Sequence, residues 1–253
     1  MTNIIDKIRK KVSSNGHPAK YFQYAIGEIL LIVLGILIAL KINNWNIIQL
    51  NSEDEKTIYQ GISRQILKDQ VELIKVFELN QTHQRQFELA KNLINDQNRG
   101  AIDSLAYFAM NLSQFSDFRR SSHIYETLVN SGDLKLIRNK NIPSLLQELE
   151  MIYNHINKLE EIHWDIILNE LSPEMRGVIN YANLKVIKPE RLYSVEVLNI
   201  FVESIYLTEG KSFVYQQALD QIHKILNELA SEIDIKITSL SSHEIPDDGD
   251  RIN

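Results

Sequence analysis

Between Tyr24 and Leu40 the chain holds no polar side chain except Glu28. Carried on to Ile42 as a helix, this run is about 28 Å long at 1.5 Å per residue, close to a hydrocarbon core of roughly 30 Å. A cleaved signal peptide has a shorter apolar core and a small-x-small site at its end. Here the run closes in Ile38-Ala39-Leu40-Lys41, without such a site. Tyr21, Phe22 and Tyr24 mark one edge and Trp45 lies just past the other, as aromatics do at a membrane–water interface. Those flanks separate an uncleaved membrane anchor over residues 24–42 from the buried helix of a soluble core.

Direction follows from the basic residues. Lys7, Arg9, Lys10, Lys11 and Lys20 precede the span against Asp6 alone, whereas only Lys41 and Lys56 follow it as far as residue 60. The positive-inside rule then places the N-terminus in the cytoplasm and the bulk of the chain outside. Lys10, Lys11, Lys20, Tyr24 and Trp45 are the expected interface anchors, and the basic head attracts anionic lipid at about 1 kcal/mol per Lys or Arg. With a net charge of −6 overall, the residues after the span are strongly acidic. A surface of that sign cannot neutralise phosphates, which excludes nucleic acid as a partner. The absence of cysteine removes disulfides, thiolate metal sites and cysteine nucleophiles.

Within the span, Gly27, Leu31, Gly35 and Ala39 recur every four residues, and Gly35-x-x-x-Ala39 is a small-x-x-x-small pattern that admits a close partner helix. Glu28 lies about 6 Å along the axis from Tyr24. Two readings stand for it: snorkelling to the cytoplasmic interface, or contact with a partner helix in a homodimer or a hetero-complex. Gly27, Glu28, Gly35 and Ala39 are therefore the candidate residues for helix association in the membrane.

The remainder reads as an all-α protein, a bundle of long antiparallel helices outside the cytoplasm. Ser52-Glu-Asp-Glu55 has the form of a capping box. Behind it, Ile58, Ile62, Ile66, Leu73, Phe77, Phe87, Ala90 and Ile94 keep helical spacing, so a helix is expected over about 53–97. It either continues from the anchor or bends at the Asn-rich join 43–51. Shorter helices follow near 103–114 and over 123–130, the latter closed by Gly132. Asn141 and Pro143 open a long helix with Leu145, Leu149, Ile152, Ile156, Leu159 and Ile166 on one face. Ser172-Pro173 reads as a fresh start, residues 183–193 as a connection, and Ser194–Thr208 with Lys211–Leu240 as an antiparallel pair hinged at Gly210. The expected organisation is a basic cytoplasmic head (1–23), the anchor (24–42), a helical domain (43–240) and a flexible tail (241–253).

Chemistry is sparse. There is no phosphate-cradling glycine loop, nucleophile elbow or His-Glu-x-x-His helix, and no cofactor is expected. One constellation stands out. Glu160-x-x-His163 has the i, i+3 spacing of di-metal carboxylate bundles, and Asp220-x-x-His223 repeats it with the shorter acid. Such sites require further inward-facing glutamates, so the competing reading is a solvated face or a histidine satisfied locally. Trp164 reads as core or interface.

The segment KYFQYAIGEILLIVLGILIALKINNWN, with KIRKK before it, resembles the N-terminal signature of a bacterial family of unknown function, DUF6090. Tyr24–Ile29 and Ile38–Asn46 carry the likeness, and Tyr125–Lys140 is similar to a second, looser motif of that family. The resemblance implies a single-pass, mostly helical inner-membrane protein of Gram-negative bacteria with a periplasmic domain. It implies no activity. The preferred expectation is a non-enzymatic interaction or scaffold protein of the envelope; the alternatives are a metal binder or enzyme built on the Glu160/His163 and Asp220/His223 pairs, or a ligand sensor signalling through helix association.

Overall fold

A computed structural model describes residues 18–121 and 123–232. The expected head, with Lys10 and Lys11, and the expected tail lie outside the described residues, as does the side chain of Lys20. The chain divides at Glu55/Lys56 into two units.

Helix α1 covers Pro18–Asn95, with proline in its first turn, where the missing N–H costs nothing. In the first unit it contains one helix long and apolar enough to cross a membrane. From Phe22 to Asp54 every side chain is exposed except half-buried Ala25. The helix passes unbroken through residues 43–55, so of the two readings of that join the continuous one holds and Ser52 starts no new helix. Ser52–Glu55 resembles a cap in composition, but a helix already in progress supplies its own partners for those amides. At the other end the chain leaves the helix at Gln97, which takes a left-handed φ of 50°. Gly100, the expected stop, lies in a 3-10 turn over Arg99–Ala101.

In the second unit, α2 (Ile102–Asn111) and α3 (Ile124–Ser131) flank an irregular segment over 114–121. Gly132 ends α3 with a φ of 80°, a conformation that costs other residues a Cβ clash. α4 (Asn141–Ile166) does not stop at Ser172. It widens into a π-turn over Ile167–Leu171 and runs into α5 (Ser172–Met175), correcting the expected fresh start. Pro173 has no N–H to give and would crowd the carbonyl four residues back, and a π-turn just before it relieves both faults. A two-stranded antiparallel hairpin follows, β1 (Ile179–Asn180) lying where the helix from Ser172 was expected, and β2 (Lys185–Val186) and a short α6 (Pro189–Leu192) lying within the expected connection 183–193.

α7 is a single helix over Val195–Glu232. The expected hinge at Gly210 is absent. One glycine costs a helix interior only about 1 kcal/mol, and burial of Ser204, Thr208 and Lys211 on both sides of Gly210 outweighs it. α4 and α7 run antiparallel. Their register is set by Lys211 opposite His163, Tyr215 opposite Glu160, and Gln221 Nε2, which donates to Leu145 O and Glu148 Oε2 at 3.0 Å each. Beyond them Asn139 Nδ2 donates to Glu228 and Glu232.

The apolar side chains gather in two clusters. The first holds Ile62, Ile66 and Leu73 of α1 against Leu149 and Ile156 of α4 and Ile222 and Ile225 of α7. The second holds Phe87 and Ile94, Leu105 of α2, Leu171, and Phe201 of α7. Polar residues occupy the level where the two clusters meet.

A buried polar clamp as the candidate functional site

The segment Ser116–Ser121 threads among the helices without helical or strand partners of its own, so its amides and carbonyls must be satisfied by something else. Three helices supply it. Asp69 Oδ1 of α1 accepts from Ser121 N at 2.6 Å, Glu160 Oε1 of α4 accepts from Phe118 N at 2.8 Å, and Lys211 Nζ of α7 donates to Ser116 O at 3.4 Å. Each is buried, Lys211 completely. Arg120 forms an ion pair with Glu150 beside them.

Two hydroxyls extend the network from Glu160. Tyr215 Oη lies 2.8 Å from Glu160 Oε1 and 3.0 Å from Ser116 Oγ, and Ser116 Oγ lies 3.1 Å from Asn80 Oδ1. Tyr215 donates to Glu160 and Ser116, and Ser116 donates to Asn80. Burial pushes the Glu160 carboxyl up to about 7, against the hydrogen bonds from Phe118 and Tyr215 and the charge of Lys211. Asn80 continues the set, its Nδ2 donating to Thr208 O at 2.7 Å and Ser212 Oγ at 2.8 Å.

His163 Nδ1 stands 3.0 Å from Lys211 Nζ. A charged Lys211 donates and the imidazole accepts, which places the ring proton on Nε2. That atom has no hydrogen-bond partner among the described residues, and the ring packs on Phe115 with centroids 5.5 Å apart. Burial and the Lys211 charge hold His163 down to about 3, and the same two causes lower His83. Burial likewise brings Lys211 down to about 8, against the attraction of Glu160 and Asp117.

The four expected metal ligands are not brought together. Glu160 and His163 are 6 % and 1 % exposed, whereas Asp220 and His223 face outward. The antiparallel register sets Asp220 opposite the part of α4 nearer Leu149 than Glu160, and its carboxylate accepts from Gln216 Nε2 at 2.9 Å. A spacing rule reports which residues share a helix face but not which face meets which neighbour, and here the second pair is turned to solvent. The ammonium of Lys211 beside His163 also repels a cation. Trp164, expected in the core or at an interface, is 46 % exposed and touches Phe115, with centroids 5.8 Å apart. Carboxyl, phenol, imidazole and ammonium are the groups of acid–base chemistry; in this arrangement they hydrogen-bond to one another and to the backbone of the irregular segment.

Sequence spacing alone could not reveal that clamp, because Asp69 and Asn80 come from α1, Ser116 from the irregular segment, and Lys211 and Tyr215 from α7. A weak signal existed in polar residues interrupting apolar helical stripes, Asp69 and Asn80 between Ile66, Leu73 and Phe87. A second constellation also went unseen: His123, Glu126 and Glu150 hold potential ligand atoms within 4.8 Å of one another. His123 and Glu126 are exposed and Arg120 already binds Glu150, so the group reads as surface ion pairing.

In the anchor-forming unit, Gly27 and Gly35 have no atom within 4 Å of an added Cβ, and Glu28 and Ala39 are exposed. Tyr24 and Trp45 are exposed as well, 59 % and 63 %.

Residues 28–210 match the model of a family described as "Family of unknown function (DUF6090)". Comparison with curated proteins and with solved structures returned no match.

Proposed function

The chain belongs to the family of unknown function DUF6090, and from its own geometry we propose a membrane-tethered helical protein that engages a protein partner in the bacterial envelope. The observation that carries this is the uncovered apolar helix: from Phe22 to Leu50 large aliphatic side chains point outward on all sides, with Glu28 and Lys41 the only charges. Exposing such a surface to water costs about 25 cal/mol per Å², whereas lipid tails accept it without penalty. In the proposed topology the basic residues before the span stay in the cytoplasm, and the acidic helical part lies in the periplasm of a Gram-negative cell.

Two features support an interaction role over catalysis. The acid–base groups hydrogen-bond to one another and to the chain's own backbone, and two of the four candidate metal ligands face the surface. The stripe Gly27, Gly35 and Ala39 with Glu28 is open to a second membrane helix, from another copy or from a partner. A reporter that works only outside the cytoplasm, fused after Asn253, is expected to be active; cytoplasmic behaviour overturns the topology. Crosslinking in native membranes followed by pull-down is expected to recover a complex. Recovery of the monomer alone, under conditions that capture known complexes, sinks the interaction reading.

A further inference from the structure

α7 buries one face and presents the opposite one to solvent. On that outer face Val195, Val202, Tyr206 and Phe213 follow one another at intervals of seven, four and seven, the spacing of a single helical stripe. Val195, Tyr206 and Phe213 are 62 %, 69 % and 65 % exposed. None belongs to either core cluster. Isolated apolar side chains on a surface are ordinary, but a register of them opposite the core is the pattern of a helix with a second partner.

The charge beside the stripe says which partner. Glu196, Glu203, Glu209 and Asp220 are exposed along it. From Val195 to His223 the only Lys or Arg is Lys211, and its ammonium is buried in the clamp. Glu203 also hydrogen-bonds to Glu170 of the π-turn; burial and that like-charge contact raise its carboxyl above the ordinary range. A second copy docked through this stripe would set carboxylate against carboxylate, and an anionic lipid surface would be repelled in the same way. A helix carrying Lys or Arg beside its own apolar stripe meets both demands, its cations reaching the carboxylates and the faces of Tyr206 and Phe213.

We propose that the outer face of α7, from Val195 to Asp220, docks a cationic amphipathic helix of a partner protein. This rests on the interaction reading above and names its surface.

The test uses the full chain in nanodiscs of zwitterionic lipid, with empty nanodiscs as the blank. The probe is a fluorescent amphipathic helical peptide of leucine and lysine, and its glutamate counterpart is the control. The lysine peptide is expected to bind, more weakly as salt rises, and the glutamate peptide to fail. Y206Q/F213Q keeps every charge and should weaken binding at least about tenfold, as loss of aromatic anchors does. E203K/E209K should exchange the preference, binding the glutamate peptide instead, so a fold-competent variant gains an activity. Equal binding by wild type and Y206Q/F213Q overturns the proposal, and so does an unchanged preference in E203K/E209K. If native crosslinking still captures a partner with Y206Q/F213Q, the surface is wrong while the interaction reading stands; if wild type captures none, that reading falls first.

Discussion

Residues 22–54 and residues 56–95 belong to the same helix, and they solve opposite problems. In the first stretch apolar side chains surround the helix and, apart from half-buried Ala25, each one is exposed. In the second, burial recurs in threes and fours, through Tyr59, Ile62, Ile66, Asp69, Leu73, Val76, Asn80, His83, Phe87, Ala90 and Ile94, and the other faces are mostly polar, with Val71, Leu79 and Leu89 exposed among them. A helix that is apolar all round needs an apolar solvent, whereas one with a single stripe needs a protein neighbour. Polar side chains follow the same division. Asp69 and Asn80 lie on the buried stripe because Ser121 N and Tyr153 Oη donate to Asp69, Ser116 Oγ donates to Asn80, and Asn80 Nδ2 donates to Thr208 O. Glu28, in the first stretch, is exposed, and in the proposed topology it turns to the membrane interface or to another helix.

Substituting one residue in each stretch separates the two problems. Ile66, fully buried, is expected to cost about 2–5 kcal/mol when changed to Ala, through lost transfer energy and the cavity left behind. Chemical denaturation in nanodiscs would show it, with membrane retention unchanged. Leu34→Arg in the middle of the apolar run should instead cost about 3 kcal/mol of membrane insertion. Alkaline extraction would then release more of the protein. If both variants altered the same readout, the division of labour along α1 would be wrong.

The clamp adds a pH dependence confined to the core-facing stretch. Glu160 titrates near 7 in the folded protein and near 4.5 when unfolded, so its contribution is complete below pH 4.5 and disappears as pH rises through about 7. Lys211 is depressed from 10.5 to about 8, so its contribution is present above pH 10.5 and is lost as pH falls through about 8. The two limbs leave this cluster least stabilising between about 7 and 8. Melting curves across pH should show Glu160→Gln flattening the acid-side limb and leaving the alkaline one. An unchanged acid-side slope would contradict the raised Glu160 carboxyl.

The smallest effect concerns α7. Gly210 is helical and has open space around the position of an added Cβ, so Gly210→Ala should raise stability by up to about 1 kcal/mol. A loss of stability would restore the hinge that the continuous helix replaced.

Much of this was legible in the chain itself. Ile62, Ile66, Leu73, Phe87, Ala90 and Ile94 were placed on the core face by periodicity alone, and all are buried. Gly132 was identified as the end of α3 for the reason that holds in the structure, its left-handed backbone. Local signals failed where longer-range packing outweighed them. Ser52, Ser172 and Gly210 each carry boundary chemistry worth about 1 kcal/mol, and each lies inside a continuous helical run.

By itself the sequence determined the apolar segment, the helical class and the stripe that residues 56–95 bury, because these depend on periods within one segment. Tertiary structure decided that Glu160 and His163 meet Lys211 and Tyr215 rather than Asp220 and His223. Such a pairing depends on the rotation and register of α4 against α7, and those are set by the summed packing of side chains far apart in the chain.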